Sequence, residues 1–173
     1  MIWFWNFVLY SFLGFLLEVA YARFTGGRTD RKALLVLPLC PVYGLGACAI
    51  LLLPPQVDAS PALLFVLGGL TATAAEYLMA VFYEEALGVS FWDYSGLPGS
   101  IQGRVSLPFS LAWGALSLLL VYWVHPALVP WLEEIPLPVS QMALMTLVAD
   151  SLLSVLLLKR TGTRDSLKWY VVP

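Results

Sequence analysis

Arg23-Phe24-Thr25-Gly26-Gly27-Arg28-Thr29-Asp30-Arg31-Lys32 packs four cations between two long apolar runs. Outward from this stretch the chain divides into five apolar segments, Ile2 to Ala22, Ala33 to Leu53, Pro61 to Tyr83, Val105 to His125 and Pro138 to Leu158. A helix needs roughly 20 apolar residues to cross a ~30 Å hydrocarbon core, and each segment is long enough. The remaining cations sit in alternate gaps: Arg104 in the third, and Lys159, Arg160, Arg164 and Lys168 in the tail. The second and fourth gaps hold none. The positive-inside rule then predicts an all-α, polytopic membrane protein of five transmembrane helices, N-terminus outside and C-terminus cytoplasmic.

Composition agrees. With 60% hydrophobic and 12% charged residues, the chain has too little polar surface to cover a water-soluble domain. Residues 1 to 173 read as a single transmembrane domain, because the gaps are short. The beginning Met1-Ile2-Trp3 lacks a basic region, and Glu18 interrupts the apolar core of a would-be signal peptide, so the first helix is expected to remain in the mature protein. Cys40 and Cys48 fall on one span, about 12 Å apart if helical, beyond disulfide reach. The cations form no nucleic-acid patch, and no nucleic-acid partner is expected.

An internal echo runs through the segments. Leu37-Pro38-Leu39-Cys40-Pro41-Val42-Tyr43-Gly44-Leu45 matches Leu107-Pro108-Phe109-Ser110-Leu111-Ala112-Trp113-Gly114-Ala115, with a small polar residue, an aromatic and a glycine at identical offsets. The preceding spans carry one glutamate each, Glu18 and Glu76. Both hairpins run the same way, which predicts two parallel helical-hairpin repeats plus one extra helix. Sites tend to form at the junction of such halves.

Glu18, Glu76 and Asp150 are the acids inside the spans. A charge at a helix centre costs at least roughly 2.5 to 3.5 kcal/mol on insertion scales, so all three should face the bundle or water. Small and hydroxyl residues flank each: Ser11 and Gly14; Gly69, Thr73 and Ala80; Ala143, Thr146 and Ser154. Counting along ideal helices puts Glu18 about 6 Å, Glu76 about 11 Å and Asp150 about 12 Å from the cytoplasmic boundary, in one layer with Tyr43 and Trp113. Two readings stay open. The acids bind a cation, a proton or a cationic substrate, or they pair with Tyr43, Ser110 or Arg104 and merely set helix register.

The long third gap contains Trp92, Asp93 and Tyr94, with Asp93 and Arg104 as an ion-pair candidate. It is expected either to gate the layer or to dock a partner, or to rest its aromatics at headgroup level. An intramembrane enzyme or scaffold acting on lipid or lipoprotein is the alternative to transport, since paired acids could hold a water. No metal-ligand spacing, nucleophile elbow or phosphate-binding glycine loop appears, so neither metal nor cofactor is expected and the chain is not itself an ATPase. The lone His125 ends the fourth span, on the outer side.

Several short motifs in order carry a resemblance: Ser11-x-x-Gly14-x-x-x-Glu18, Leu39-Cys40-Pro41-Val42-Tyr43-Gly44, Glu76-Tyr77, Trp92-Asp93-Tyr94-Ser95, Gly103-Arg104-Val105-Ser106-Leu107 and Trp113-Gly114. Over about residues 7 to 115 the chain resembles the bacterial family of type IV ABC-transporter (CmpB-like) permeases. The resemblance implies a multi-pass protein of the bacterial cytoplasmic (inner) membrane, working with a separate ATP-binding subunit. Membrane lipid is the surrounding partner. Five short helices enclose little volume, so a homodimer is expected, with Gly14, Gly44, Gly69 and Gly114 offering close-packing surfaces.

Overall fold

A computed structural model describes residues 1–25 and 34–167. Arg28, Arg31, Lys32 and Lys168 lie outside the described residues. The order is α1 (Ile2–Phe24), α2 (Pro41–Ile50), the short α3 (Pro55–Asp58), α4 (Pro61–Leu87), α5 (Leu107–Leu119), a π turn (Leu120–Val124), α6 (His125–Glu133), α7 (Leu137–Thr161) and a 3-10 turn (Arg164–Leu167). Among the described residues there is no strand. Four helical stretches are long and apolar enough to cross a membrane: Ile2–Phe24, Pro61–Leu87, Leu107–Glu133 and Leu137–Thr161.

The second apolar segment departs from the expected uninterrupted helix. Only Pro41–Ile50 is helical, and residues 34–38 form bends. Two prolines explain the break: Pro38 and Pro41 lack an N–H, and each pushes its preceding residue out of the helical region. Backbone left irregular at membrane depth must find partners within the protein. Here the amide of Val36 donates to Ser154 Oγ (3.2 Å), that of Leu37 to both oxygens of Asp150 (3.3 and 3.4 Å), and that of Cys40 to the Ser11 carbonyl (2.8 Å). Asp150 therefore supports a broken strand of chain.

The fourth span is longer than expected, because helix continues through Pro126 and Pro130 to Glu133. A proline ring collides with the carbonyl one turn back, and a π turn just before them re-spaces that ladder, the His125 amide reaching back to Leu120. Gly88 (φ 67°) closes α4, its amide and that of Val89 bonding the Glu84 and Tyr83 carbonyls.

α1, α4 and α7 run parallel. At one end Trp5 Nε1 donates to Ser140 Oγ (2.8 Å) and Tyr10 meets His125 (2.7 Å); at the other, Arg164 Nη1 donates to the Phe91 carbonyl (2.8 Å). Buried Tyr10, Ala47, Ile50, Leu64, Ala72 and Trp113 fill the first half, and Leu35, Leu39, Tyr83, Phe91 and Leu158 the second. Arg23, Arg104, Lys159, Arg160 and Arg164 all belong to that second end.

Two helix pairs pack through matching contacts. A Cβ on Gly44 would meet the Phe7 carbonyl at 2.6 Å and Ser11 Oγ at 2.2 Å; one on Gly114 would meet the Phe65 carbonyl at 2.7 Å. Gly69 in turn lies against Gly114, a Cβ there falling 3.2 Å from its Cα. Phe7, Ser11 and Glu18 have the same spacing on α1 as Phe65, Gly69 and Glu76 on α4. Gly14 lies against Tyr43, so all four glycines are used inside one protomer.

Candidate functional site

At the cation-rich end the two pairs enclose a cavity of about 140 Å³. Glu18 comes from α1, Tyr43 from α2, Glu76 from α4, Phe109 and Trp113 from α5, and Trp92 and Tyr94 from the loop that follows α4. Each glutamate takes a hydrogen bond from the aromatic on its own partner helix. Tyr43 Oη donates to Glu18 Oε1 (2.8 Å), and Trp113 Nε1 donates to Glu76 Oε2 (3.0 Å). The two aromatic rings then meet each other, centroids 4.9 Å apart.

The acids differ in setting. Glu76 is 5% exposed and accepts a second bond, from Tyr94 Oη to Oε1 (3.0 Å), whereas Glu18 is half-buried. Burying a carboxylate is costly unless donors surround it, and these neutral donors hold Glu76 in one orientation. Burial first, and then the Glu76 charge, push the Tyr94 phenol well above its ordinary ionisation range, so it remains a donor at physiological pH.

Tyr94 is delivered by an ordered loop. Its amide donates to the Gly103 carbonyl (2.7 Å), the Tyr94 ring stacks on Phe109 with centroids 4.5 Å apart, and Trp92 Nε1 donates to the Arg104 carbonyl (2.8 Å). Gly103 (φ 73°) and Gln102 (φ 53°) make the return bend. Phe91 and Val89 are buried in the core.

The expected Asp93–Arg104 ion pair is not formed. Arg104 instead binds Glu84 on α4, Nε at 2.9 Å and Nη2 at 2.6 Å from Oε2, and also donates to Tyr77 Oη (3.0 Å) and Gln102. The Glu84 bond raises the guanidinium pKa. Asp93 turns to the amide of Ser95 (2.9 Å), and that bond holds its carboxyl below the usual range. The competition is local: Asp93 caps its own turn, while Tyr77 and Glu84, seven residues apart on one face of α4, are already aligned for a guanidinium. That spacing is visible in the sequence, and Glu84 is the partner it points to.

Of the sequence candidates, Glu18, Glu76, Tyr43, Trp113, Trp92 and Tyr94 line this cavity. Asp150 is absent from its lining, engaged with the Leu37 amide. Tyr21 and Phe109 join the lining without having been singled out as binding residues; their rings lie 6.3 Å apart. No group of three or more His, Cys, Asp or Glu among the described residues could hold a metal ion. An open groove of about 520 Å³ lies outside the loop, between Gly88 to Asp93 and Gly162 to Asp165.

Residues 5–157 match the family described as "Putative ABC-transporter type IV". The chain belongs to this family. No curated protein and no solved structure matches it. As a type IV ABC-transporter family member with four long apolar helices, it is a multi-pass membrane protein and a transporter component. The family's description points to an ATP-binding partner.

Proposed function

We propose that the chain is a permease subunit whose cavity binds a cation between Glu18 and Glu76. The observation that carries this is one small chamber lined by both acids, each braced by an aromatic donor from its own hairpin. Braced carboxylates in a site partly shielded from water attract a cation more strongly than they would in solution. Tyr43 and Trp113 line the chamber, and Trp92 and Tyr94 close it from the loop side. Asp150 serves as a support for the second segment.

Several finer features follow the same reading. The interrupted second segment makes the fifth crossing, since α1 and α4 run the same way. The matched glycine and glutamate contacts support a parallel duplication of the first hairpin in the second, with α7 added. Gathering of Arg23, Arg104, Lys159, Arg160 and Arg164 at one end supports a cytoplasmic C-terminus in a bacterial inner membrane. The groove between the loop and Arg164 is the docking surface for an ATP-binding subunit. A homodimer would form through the lipid-facing surfaces, because the close-packing glycines are occupied.

The test is the double substitution Glu18→Gln and Glu76→Gln. Expected is loss of cation binding with the protein still folded by circular dichroism. Unchanged binding rejects the assignment. Co-purification with an ATP-binding subunit, lost when Asp165 and Asp93 at the groove are both replaced by Lys, tests the docking surface.

A further inference from the structure

Next to the acidic chamber lies a second cavity of about 140 Å³, lined by Tyr10, Leu13, Ala47, Ile50, Leu119 and Leu120 among other apolar groups. The two are neighbours with a common wall. Leu17, Tyr43, Trp113 and Leu116 line both, so the two spaces adjoin along the Tyr43–Trp113 ring pair and these two leucines. Leu119 on the rim of the second cavity is exposed on the bundle surface.

We propose that the two chambers together take one amphiphile: a singly charged, alkylated ammonium head in the acidic chamber and its hydrocarbon tail in the apolar one. This rests on the cation-binding reading above and names its substrate class. Each compartment approximates the ~150 Å³ apolar cavity that admits one benzene, which suits a head of about five heavy atoms and a tail segment of similar bulk. Two tryptophans, three tyrosines and a phenylalanine line the acidic chamber with the two glutamates, and faces of such rings attract ammonium ions.

Hydrogen bonding narrows the head further. Both oxygens of Glu76 and one of Glu18 already accept from Tyr94, Trp113 and Tyr43. A quaternary ammonium brings no N–H to satisfy and needs no further acceptor, whereas a primary amine would have to place its three N–H groups on the lone pairs these bonds leave over. A phosphate beside the charge, as in a zwitterionic phospholipid head, would meet two carboxylates, with no Lys or Arg among the described residues of the lining. The head is therefore a monocation, and a free or biosynthetic alkylammonium fits where a phosphocholine lipid does not.

The experiment measures binding of dodecyltrimethylammonium, tetramethylammonium and dodecylphosphocholine to the whole protein in dodecyl maltoside, whose neutral head supplies the tail-only background. Expected is at least tenfold tighter binding of dodecyltrimethylammonium than of either other probe. Glu76→Gln should remove that advantage, and Leu119→Trp, at an exposed rim position, should weaken the long-chain cation about tenfold without altering tetramethylammonium. Equal binding of the two cations, both dependent on Glu18 and Glu76, overturns the amphiphile and leaves the cation site standing. Binding of dodecylphosphocholine as tight as that of the monocation overturns the head assignment in favour of a lipid. Cation binding indifferent to both glutamates removes the underlying site.

Discussion

The α1–α2 and α4–α5 pairs make the same contacts with unequal means. In both, a glycine lets the return helix touch a phenylalanine carbonyl, and an aromatic one position before that glycine bonds a glutamate eleven residues beyond the phenylalanine. Yet the first return segment is broken by two prolines and leans on α7, whereas the second runs unbroken from Leu107 to Glu133. Glu18 accepts from Tyr43 and is partly exposed, whereas Glu76 accepts from Tyr94 and Trp113 and is almost fully buried. The contact that both pairs preserve is the acid–aromatic pair at their junction. Continuity of the helix that carries it is what varies.

The largest effects should come from the glycines. Gly44→Ala and Gly114→Ala each force backbone apart, at about 1–3 kcal/mol in line with other overpacking substitutions. Position 44 should suffer more, since Ser11 Oγ crowds it as well as the Phe7 carbonyl. Thermal unfolding in detergent micelles measures this. A neutral Gly114→Ala beside a costly Gly44→Ala would break the equivalence of the two pairs.

Next come the acids taken singly. Glu76→Gln turns one acceptor oxygen into a donor facing either Tyr94 or Trp113, and a buried donor left without an acceptor costs about 1–3 kcal/mol. Glu18→Gln still presents an oxygen to Tyr43, and should lose under ~1 kcal/mol. Equal losses at both positions, read from denaturation midpoints, would mean the difference in burial has no energetic weight.

The all-helical membrane class was legible because hydropathy and cation placement depend only on local composition, and the acid–aromatic layer because two glutamates and two aromatics recur at fixed offsets. The expectation that Glu18, Glu76, Tyr43 and Trp113 share a layer rested on ideal helix rise, which holds for α1, α4 and α5. It failed in usefulness for Asp150. Depth along a helix says nothing about which way a side chain faces, and the need for an acceptor opposite Leu37 arises only once Pro38 has broken the segment. Both prolines stand in the sequence, but which amides they orphan depends on where the segment breaks. Asp150→Ala should accordingly cost about 1 kcal/mol through the lost amide bonds, with Asn restoring most of it and neither affecting cation binding. Loss of binding in Asp150→Asn would return this acid to the site.

The smallest effect separates the connecting segments. Among the described residues it is the second hairpin whose acid is covered by a loop, and that loop turns on Asp93, whose carboxyl is held below its ordinary range by the Ser95 amide. A carboxyl depressed on folding contributes stability above its unfolded value of roughly 3.9 and loses it as pH falls through the lower, folded value. Amide exchange of the Trp92 to Arg104 loop should therefore be flat from about pH 8 to pH 5 and quicken only below about pH 4, beyond the intrinsic pH dependence of exchange. Asp93→Asn keeps an acceptor for Ser95 without titrating, so its loop should stay protected into acid. If the wild-type loop instead opened near neutral pH, a group other than Asp93 would be governing it, and the cover over Glu76 would be gated by the site beneath rather than by its own turn.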